Sequence, residues 1–229
     1  MTRAARLITA ASLLLLPLAA RADDGAYPIK ADDGDIIANH PVPAELESRI
    51  ETLPGVVVVG NPRGRVTLSE FYDVNCSYCR QASGDIEALL AADHDLRLVL
   101  VPFPVFGVAS IQGTRVELAV ARLASAQTFY RFHRMLDGSR GTVDGARALA
   151  AAEAVGLDKA RVLQVADEDG LADVMKAHVH LGDALGIQAT PGLVIKGVAF
   201  LGYPGPKTLA GIVQAAERCG AVVCGAPGP

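Results

Sequence analysis

Apolar positions along the chain repeat with two periods, and the change between them outlines the fold. Leu46, Ile50 and Leu53 recur at helical spacing within Pro43 to Leu53, and Pro54-Gly55 ends that stretch. A β-branched run follows from Val56 to Val59, then the turn "GNPRG" at 60–64. "RVTLSEFY" at 65–72 alternates Val66, Leu68 and, less cleanly, Glu70 against its neighbours, so both runs predict strands. From Cys76 to Ala92 the period becomes helical, with Ile86, Leu89 and Leu90 on one side. "LRLVLVPF" at 96–103 is apolar enough for a buried third strand. A strand, helix and strand in this order predict parallel pairing through a right-handed crossover.

Residues 110–186 carry helical spacing throughout. Val116, Val120 and Leu123 form one stripe, and Phe129, Phe132 and Leu136 another, broken by "DGSRG" at 137–141. An Ala-rich helix follows over 146–155, and Asp158 stands as the N-cap of the next. Leu171, Val174, Met175, His178, Leu181 and Leu185 predict one more helix, closed by Gly186. Strand signals return in "GLVIKGVAFLG" at 192–202, two short runs around Lys196-Gly197 that read as a hairpin. Pro206 to Arg218 is a final helix with proline at its start. The order predicts an α/β fold: a βαβ half and a ββα half, with a helical block inserted between them. Three inner strands with helices on both faces satisfy it.

The two ends change the picture of where this chain works. Arg3 and Arg6, the apolar run Leu7 to Leu18 and the small-x-small triplet Ala20-Arg21-Ala22 have the layout of a cleaved secretory signal over residues 1–22. The apolar run has 12 residues, too few to cross about 30 Å of hydrocarbon. No later stretch is long and apolar enough to span a membrane, so no membrane insertion of the mature chain is expected. Residues 23–42 are acidic with Gly and Pro, and read as a flexible leader. Of the 21 basic residues three lie in the signal, which has no acid, so 18 basic against 25 acidic leave the mature chain at −7. That balance argues against nucleic acid, whose phosphates need clustered Lys and Arg. All four cysteines, at 76, 79, 219 and 224, lie in the mature part, and an even number in an exported chain favours disulfides.

Three chemistries compete for Cys76-Ser77-Tyr78-Cys79. A zinc site needs two more ligands, which Cys219 and Cys224 supply only if the far end of the chain folds onto this helix. A purely structural disulfide here closes almost no loop and stabilises little. A redox couple uses the position itself, because Cys76 falls where a strand ends and a helix begins. There the unpaired backbone N–H groups and the helix dipole stabilise an anion, which favours the reactive thiolate. Cys79 lies one turn further in, placed to attack a mixed disulfide at Cys76.

"VTLSEFYDVNCSYCR" resembles the DsbA-like branch of the thioredoxin superfamily, whose members carry a helical domain inserted in a thioredoxin fold. "GIQATPGLVI" at 186–195, "GNPRG" and "FPVFG" at 103–107 are similar to the same family, and the resemblance covers about residues 55 to 218. It implies a thioredoxin-fold domain over 55–104 and 187–224, an inserted helical domain over 105–186, and a leader with a short helix over 23–54. It also implies that Pro191 is cis and lies beside the cysteines, with Thr190 offering its backbone to an extended substrate. A cis bond is essentially confined to X–Pro. Glu70 reads as a residue on an exposed strand face or as a buried acid; it lies where this family carries a buried carboxylate that exchanges protons with Cys79. Ser77 and Tyr78 tune the couple. The strongest oxidants of the family have histidine where Tyr78 stands, and Thr190 is more like the isomerase and reductase members.

Cys219 and Cys224, in "CGAVVC", read as a small structural disulfide closing the C-terminal turn, with a free pair or a second redox couple as alternatives. His178 and His180 resemble a ligand pair, but i and i+2 on a helix face different ways. His40, His94 and His133 stand alone in polar surroundings, and no metal is assigned. The expected function is thiol–disulfide oxidoreduction in the periplasm, with Cys76–Cys79 as its own redox centre and no other cofactor. Expected partners are exported cysteine-containing proteins and a membrane redox protein, DsbB-like (a quinone-linked oxidase) or DsbD-like (a thiol reductant carrier). An isomerase or reductase serving cytochrome maturation or metal-stress defence is the alternative, and a Cu(I) carrier on the thiolates is the rival from another class.

Overall fold

The computed structural model describes residues 25–225; the expected signal peptide, residues 1–22, lies outside the described residues. The strands are β1 (Asn39–Pro41), β2 (Val57–Gly60), β3 (Val66–Tyr72), β4 (Leu96–Pro102), β5 (Gly192–Ile195) and β6 (Val198–Leu201). They form one sheet in the order β1-β6-β5-β3-β4-β2. Only β3 and β4 pair in parallel, Val66 to Tyr72 against Leu96 to Pro102, as the strand–helix–strand order requires. β5 returns antiparallel beside β3, with Glu70 opposite Leu193, and β6 follows through a tight hairpin. The hairpin turn takes positive φ at Lys196 (48°) and Gly197 (74°), the backbone of a two-residue connection matched to strand twist.

Eight helices complete the described chain: α1 (Ala44–Ile50), α2 (Ser77–Ala92), α3 (Val108–Leu123), α4 (Ala126–Asp137), α5 (Gly145–Ala154), α6 (Lys159–Ala166), α7 (Gly170–Ala184) and α8 (Pro206–Cys219). Five of them, α3 to α7, fall between β4 and β5. Alternate residues of the central strands feed two cores. Leu68, Tyr72, Leu96, Leu98 and Leu100 pack on one face with Ile86 of α2, Phe129 and Phe132 of α4, and Ile212 of α8. Phe71, Val99 and Val101 pack on the other with Ile50 of α1 and with Leu181 and Leu185 of α7. Period-two alternation thus puts α2 and α8 on one side of the sheet and α1 and α7 on the other.

Two departures from the sequence reading bear on the site. The sheet has six strands: the five expected, with β2 pairing antiparallel with β4, and β1, which adds beyond the hairpin. The acidic segment before residue 42 is not a loose leader: Asn39 exchanges hydrogen bonds with the Tyr27 backbone at 2.9 and 2.8 Å. Further along it, both Asp32 carboxylate oxygens accept N–H groups that open α8, from Lys207 at 2.9 Å and Thr208 at 2.8 Å. Gly205, at φ 90°, is needed there, since a Cβ would come within 2.8 Å of that carboxyl. The helical block is pinned to the loop before α2. Asn75 exchanges hydrogen bonds with the Val143 backbone at 2.7 and 2.9 Å, and Arg80 spans from Val74 O to Ser139 O and Gly141 O.

Candidate active site

β3 delivers the chain to Tyr72, the loop Asp73-Val74-Asn75 turns it, and Cys76 becomes the N-cap of α2. Its backbone is extended (φ −75°, ψ 121°), so its Sγ swings back over the helix start and accepts the Cys79 N–H at 3.2 Å. In the thiol form the S–H donates to the Thr190 carbonyl, also at 3.2 Å. Cys76 and Cys79 are free, both 3% exposed. The Thr190–Pro191 bond between α7 and β5 is cis. The Thr190 hydroxyl is buried and has no hydrogen-bond partner.

The two sulfurs share a site but not a proton affinity. The Cys79 thiol, then the Thr190 side chain and the N–H groups of Cys79 and Tyr78, act against burial and bring Cys76 down to about 6. Burial pushes Cys79 far up, with the Cys76 and Glu70 charges acting the same way. At neutral pH the reduced site therefore holds a Cys76 thiolate and a Cys79 thiol, the polarity a nucleophile and its resolving partner need. Tyr78 points outward, 61% exposed, beside the buried pair.

Glu70 sits on the central strand between Leu100 and Leu193 and is 2% exposed, so it does not lie on an exposed face. Burial pushes its carboxyl up to about 8; His133 pulls it down, and Asp137 and Cys76 push it up. At neutral pH it keeps its proton, and the Cys79 sulfur feels its charge once the proton leaves.

The structure adds residues that sequence reasoning did not single out. Asp73, 1% exposed, accepts from Asn75 N (2.8 Å), Val105 N (2.7 Å), Phe106 N (2.9 Å) and Ser110 Oγ (2.7 Å). It clamps the "FPVFG" loop to the turn that carries Cys76, whose own N–H donates to Asp73 O at 2.9 Å. An acid at the end of an apolar strand was the available signal. His133 corrects the sequence reading more sharply: it does not stand in polar surroundings but is 3% exposed against Glu117 and Asp137. His178 is buried between the Pro54 and Pro102 carbonyls, while His180 is exposed. Cys219 and Cys224 are disulfide-bonded at the end of α8.

A single sheet with helices on both faces, a Cys-x-x-Cys at a strand-to-helix junction and a cis-proline facing it define the class of dithiol proteins built on this fold. A family model described as thioredoxin matches residues 52–215, and the chain belongs to that family. Its five helices between β4 and β5 give the thioredoxin-like fold the inserted block of the DsbA-like architecture. A thioredoxin-like oxidoreductase from Silicibacter pomeroyi is 29% identical at a TM-score of 0.69, covering 75% of this chain and 98% of that one. A thiol-disulfide exchange protein, alpha-DsbA2 of Wolbachia pipientis, is similar in fold at 22% identity and TM-score 0.68, over 75% of this chain and 91% of its own. A periplasmic thioredoxin-like protein from Salmonella enterica shares the fold at 22% identity and TM-score 0.64, over 76% and 96%. No curated protein matches the sequence.

Proposed function

We propose that this protein is exported and exchanges disulfides with cysteine-containing proteins outside the cytoplasm, through Cys76 and Cys79. The observation that carries the reading is the unequal pair: Cys76 Sγ at the helix start, accepting the Cys79 N–H at 3.2 Å, with its thiolate favoured and that of Cys79 disfavoured. Oxidised, the pair takes a substrate thiolate at Cys76, Cys79 leaves, and a second substrate thiolate resolves the mixed disulfide. Reduced, Cys76 attacks a substrate disulfide and Cys79 provides escape. Thr190, whose carbonyl lies 3.2 Å from that sulfur, and Pro191 form the edge on which an extended substrate lies. Ser77 and Tyr78 tune the couple, Glu70 serves Cys79 as a proton donor and acceptor, and the Cys219–Cys224 bond is structural.

The pair is its own redox centre, reset by a membrane redox protein of DsbB-like or DsbD-like type. Among the described residues no helix is long and apolar enough to cross a membrane. The export signal and a periplasmic location are read from residues 1–22. Tyr78 and Thr190 favour moderate oxidising power over the strongest, which leaves isomerase or reductase service within the same reading. Cys79→Ser removes the escape thiol, so in a periplasmic extract it should accumulate mixed disulfides on Cys76, seen as a non-reducing ladder that collapses with reductant. A folded variant that captures nothing would overturn the exchange role.

A further inference from the structure

Behind the cysteine pair lies a cluster of ionisable groups of which the exchange steps above use Glu70 alone. Glu70 and Tyr72 project two residues apart from one face of β3. The Tyr72 hydroxyl donates to Glu117 Oε1 at 3.1 Å. His133 places Nδ1 3.3 Å from that same oxygen and Nε2 3.2 Å from Asp137 Oδ2. Glu70, Tyr72, Glu117 and His133 are at most 3% exposed. The outer end reaches the surface: Asp137 accepts the Ser83 hydroxyl, Arg134 Nη1 donates to Ser83 Oγ at 2.5 Å, and Arg134 Nη2 pairs with Glu87 at 3.0 Å.

The decisive feature is that both imidazole nitrogens face carboxyl oxygens. A neutral ring has one N–H and one lone pair, and a lone pair aimed at a carboxylate oxygen is repelled. Burial raises Glu117 while the His133 hydrogen bond draws it back down, and with both carboxyls ionised the geometry selects the doubly protonated ring, its centroid 4.6 Å from that of Tyr72, the neighbour of Glu70 on the same strand face. Burial alone would lower the imidazole, but Asp137 and the Glu117 hydrogen bond outweigh it and raise it to about 9. Seen from Glu70, this cation is the leading influence opposing burial.

We propose that His133, clamped as an imidazolium by Glu117 and Asp137, is a positioning residue that sets how tightly Glu70 holds its proton and, through Glu70, the protonation of Cys79. The inference rests on the exchange function above. A substrate thiolate attacks Cys76 Sγ, the Cys76–Cys79 bond breaks, and its electron pair leaves on Cys79. Cys79 takes the Glu70 proton and becomes a thiol, and the His133 cation stabilises the carboxylate left behind. A second substrate thiolate then attacks the substrate sulfur of the mixed disulfide, releasing Cys76 as thiolate. Two electrons have passed to the pair, the substrate is oxidised, and Glu70 recovers a proton from solvent. The charged and titratable groups around this step come from four elements: Cys76 and Cys79 beside α2, with Glu87 at its outer side; Glu117 from α3; Tyr130, Arg134 and Asp137 from α4; Tyr72 from β3. Tyr203, after β6, also feels the Glu70 charge.

The test is the reduction potential of Cys76–Cys79 against glutathione, followed from about pH 5 to about pH 10 around the ordinary carboxyl and thiol ranges. Wild type should show a change of slope where Glu70 ionises, near 8, and Glu70→Gln should remove it. His133→Gln should move that break upward by about one unit or more, the scale of a lost opposite charge. Glu117→Gln should move it the same way, because the imidazolium loses a carboxylate. A merely structural role would lower the melting temperature and leave the break in place. These substitutions cut into a buried cluster, so the imidazole nitrogen shifts of wild-type His133 provide a reading without a variant: both nitrogens protonated at neutral pH supports the proposal. A neutral ring, no break in wild type, or a break that stays put in the variants overturns it. A pair that never equilibrates with glutathione would instead overturn the exchange function itself.

Discussion

The chain carries two cysteine pairs at opposite poles of helices, and they meet opposite chemistry. Cys76 caps the start of α2, where free N–H groups converge, and its sulfur accepts one of them at 3.2 Å. Cys219 ends α8, where free carbonyls converge: its sulfur lies 3.1 Å from Ala215 O, and that of Cys224 3.8 Å from the same oxygen. A helix start bears roughly half a positive charge and a helix end roughly half a negative one, so the first stabilises a thiolate and the second opposes it. The first pair is buried and free, the second exposed and bonded. The pole of the helix, more than the spacing of two cysteines, separates a reactive sulfur from a structural one.

The largest expected effect breaks the contrast at its active end. Cys76→Ser should reduce insulin reduction to the uncatalysed rate while the melting temperature stays near that of wild type. Activity retained in Cys76→Ser but lost in Cys219→Ala/Cys224→Ala would reverse the assignment of the two pairs. Glu70→Gln sharpens the account of why the active end is buried. With its folded value raised to about 8 from 4.5, Glu70 holds a proton that the unfolded chain has lost, so it weakens the reduced protein as pH rises from 4.5 towards 8. The neutral glutamine should stabilise the reduced form by about 3 kcal/mol at neutral pH, a gain that shrinks away in acid below 4.5. Equal gains at acid and neutral pH in chemical denaturation would show that the carboxyl does not titrate in that window. The smallest effect lies at the structural end. Cys219 and Cys224 are five residues apart, and so short a loop is worth about 2 kcal/mol of chain entropy. Cys219→Ala/Cys224→Ala should melt roughly 4–8 °C lower by the usual conversion for this size of domain, with insulin reduction unchanged.

What could be read from the sequence was what depends on near neighbours. The strand–Cys-x-x-Cys–helix junction, the Lys196-Gly197 hairpin and the Asp158 cap, which accepts Arg161 N at 2.7 Å, are set within a few residues. β1 was not legible, because residues 23–42 are polar and acidic. The order of residues 25–42 comes from pairing with β6 and from Asp32 on α8, contacts more than a hundred residues away. The His133 cluster was missed for a similar reason, since Glu117 belongs to another helix and Glu70 to a distant strand. A signal was nonetheless present: His133 follows Phe132 and falls at helical spacing with Phe129 and Leu136, inside the apolar stripe of α4. Glu70 carried one too, in phase with Leu68 and Tyr72 on the core face of β3.

The central claim is that the start of α2 makes one sulfur of the active pair a thiolate and leaves the other a thiol. Alkylation of the reduced protein with limiting reagent, followed across pH and mapped by peptide, measures this directly. The account predicts label on Cys76 alone, half-maximal near pH 6. Label on Cys79, or a Cys76 midpoint at the ordinary thiol value of about 8.5, would contradict it.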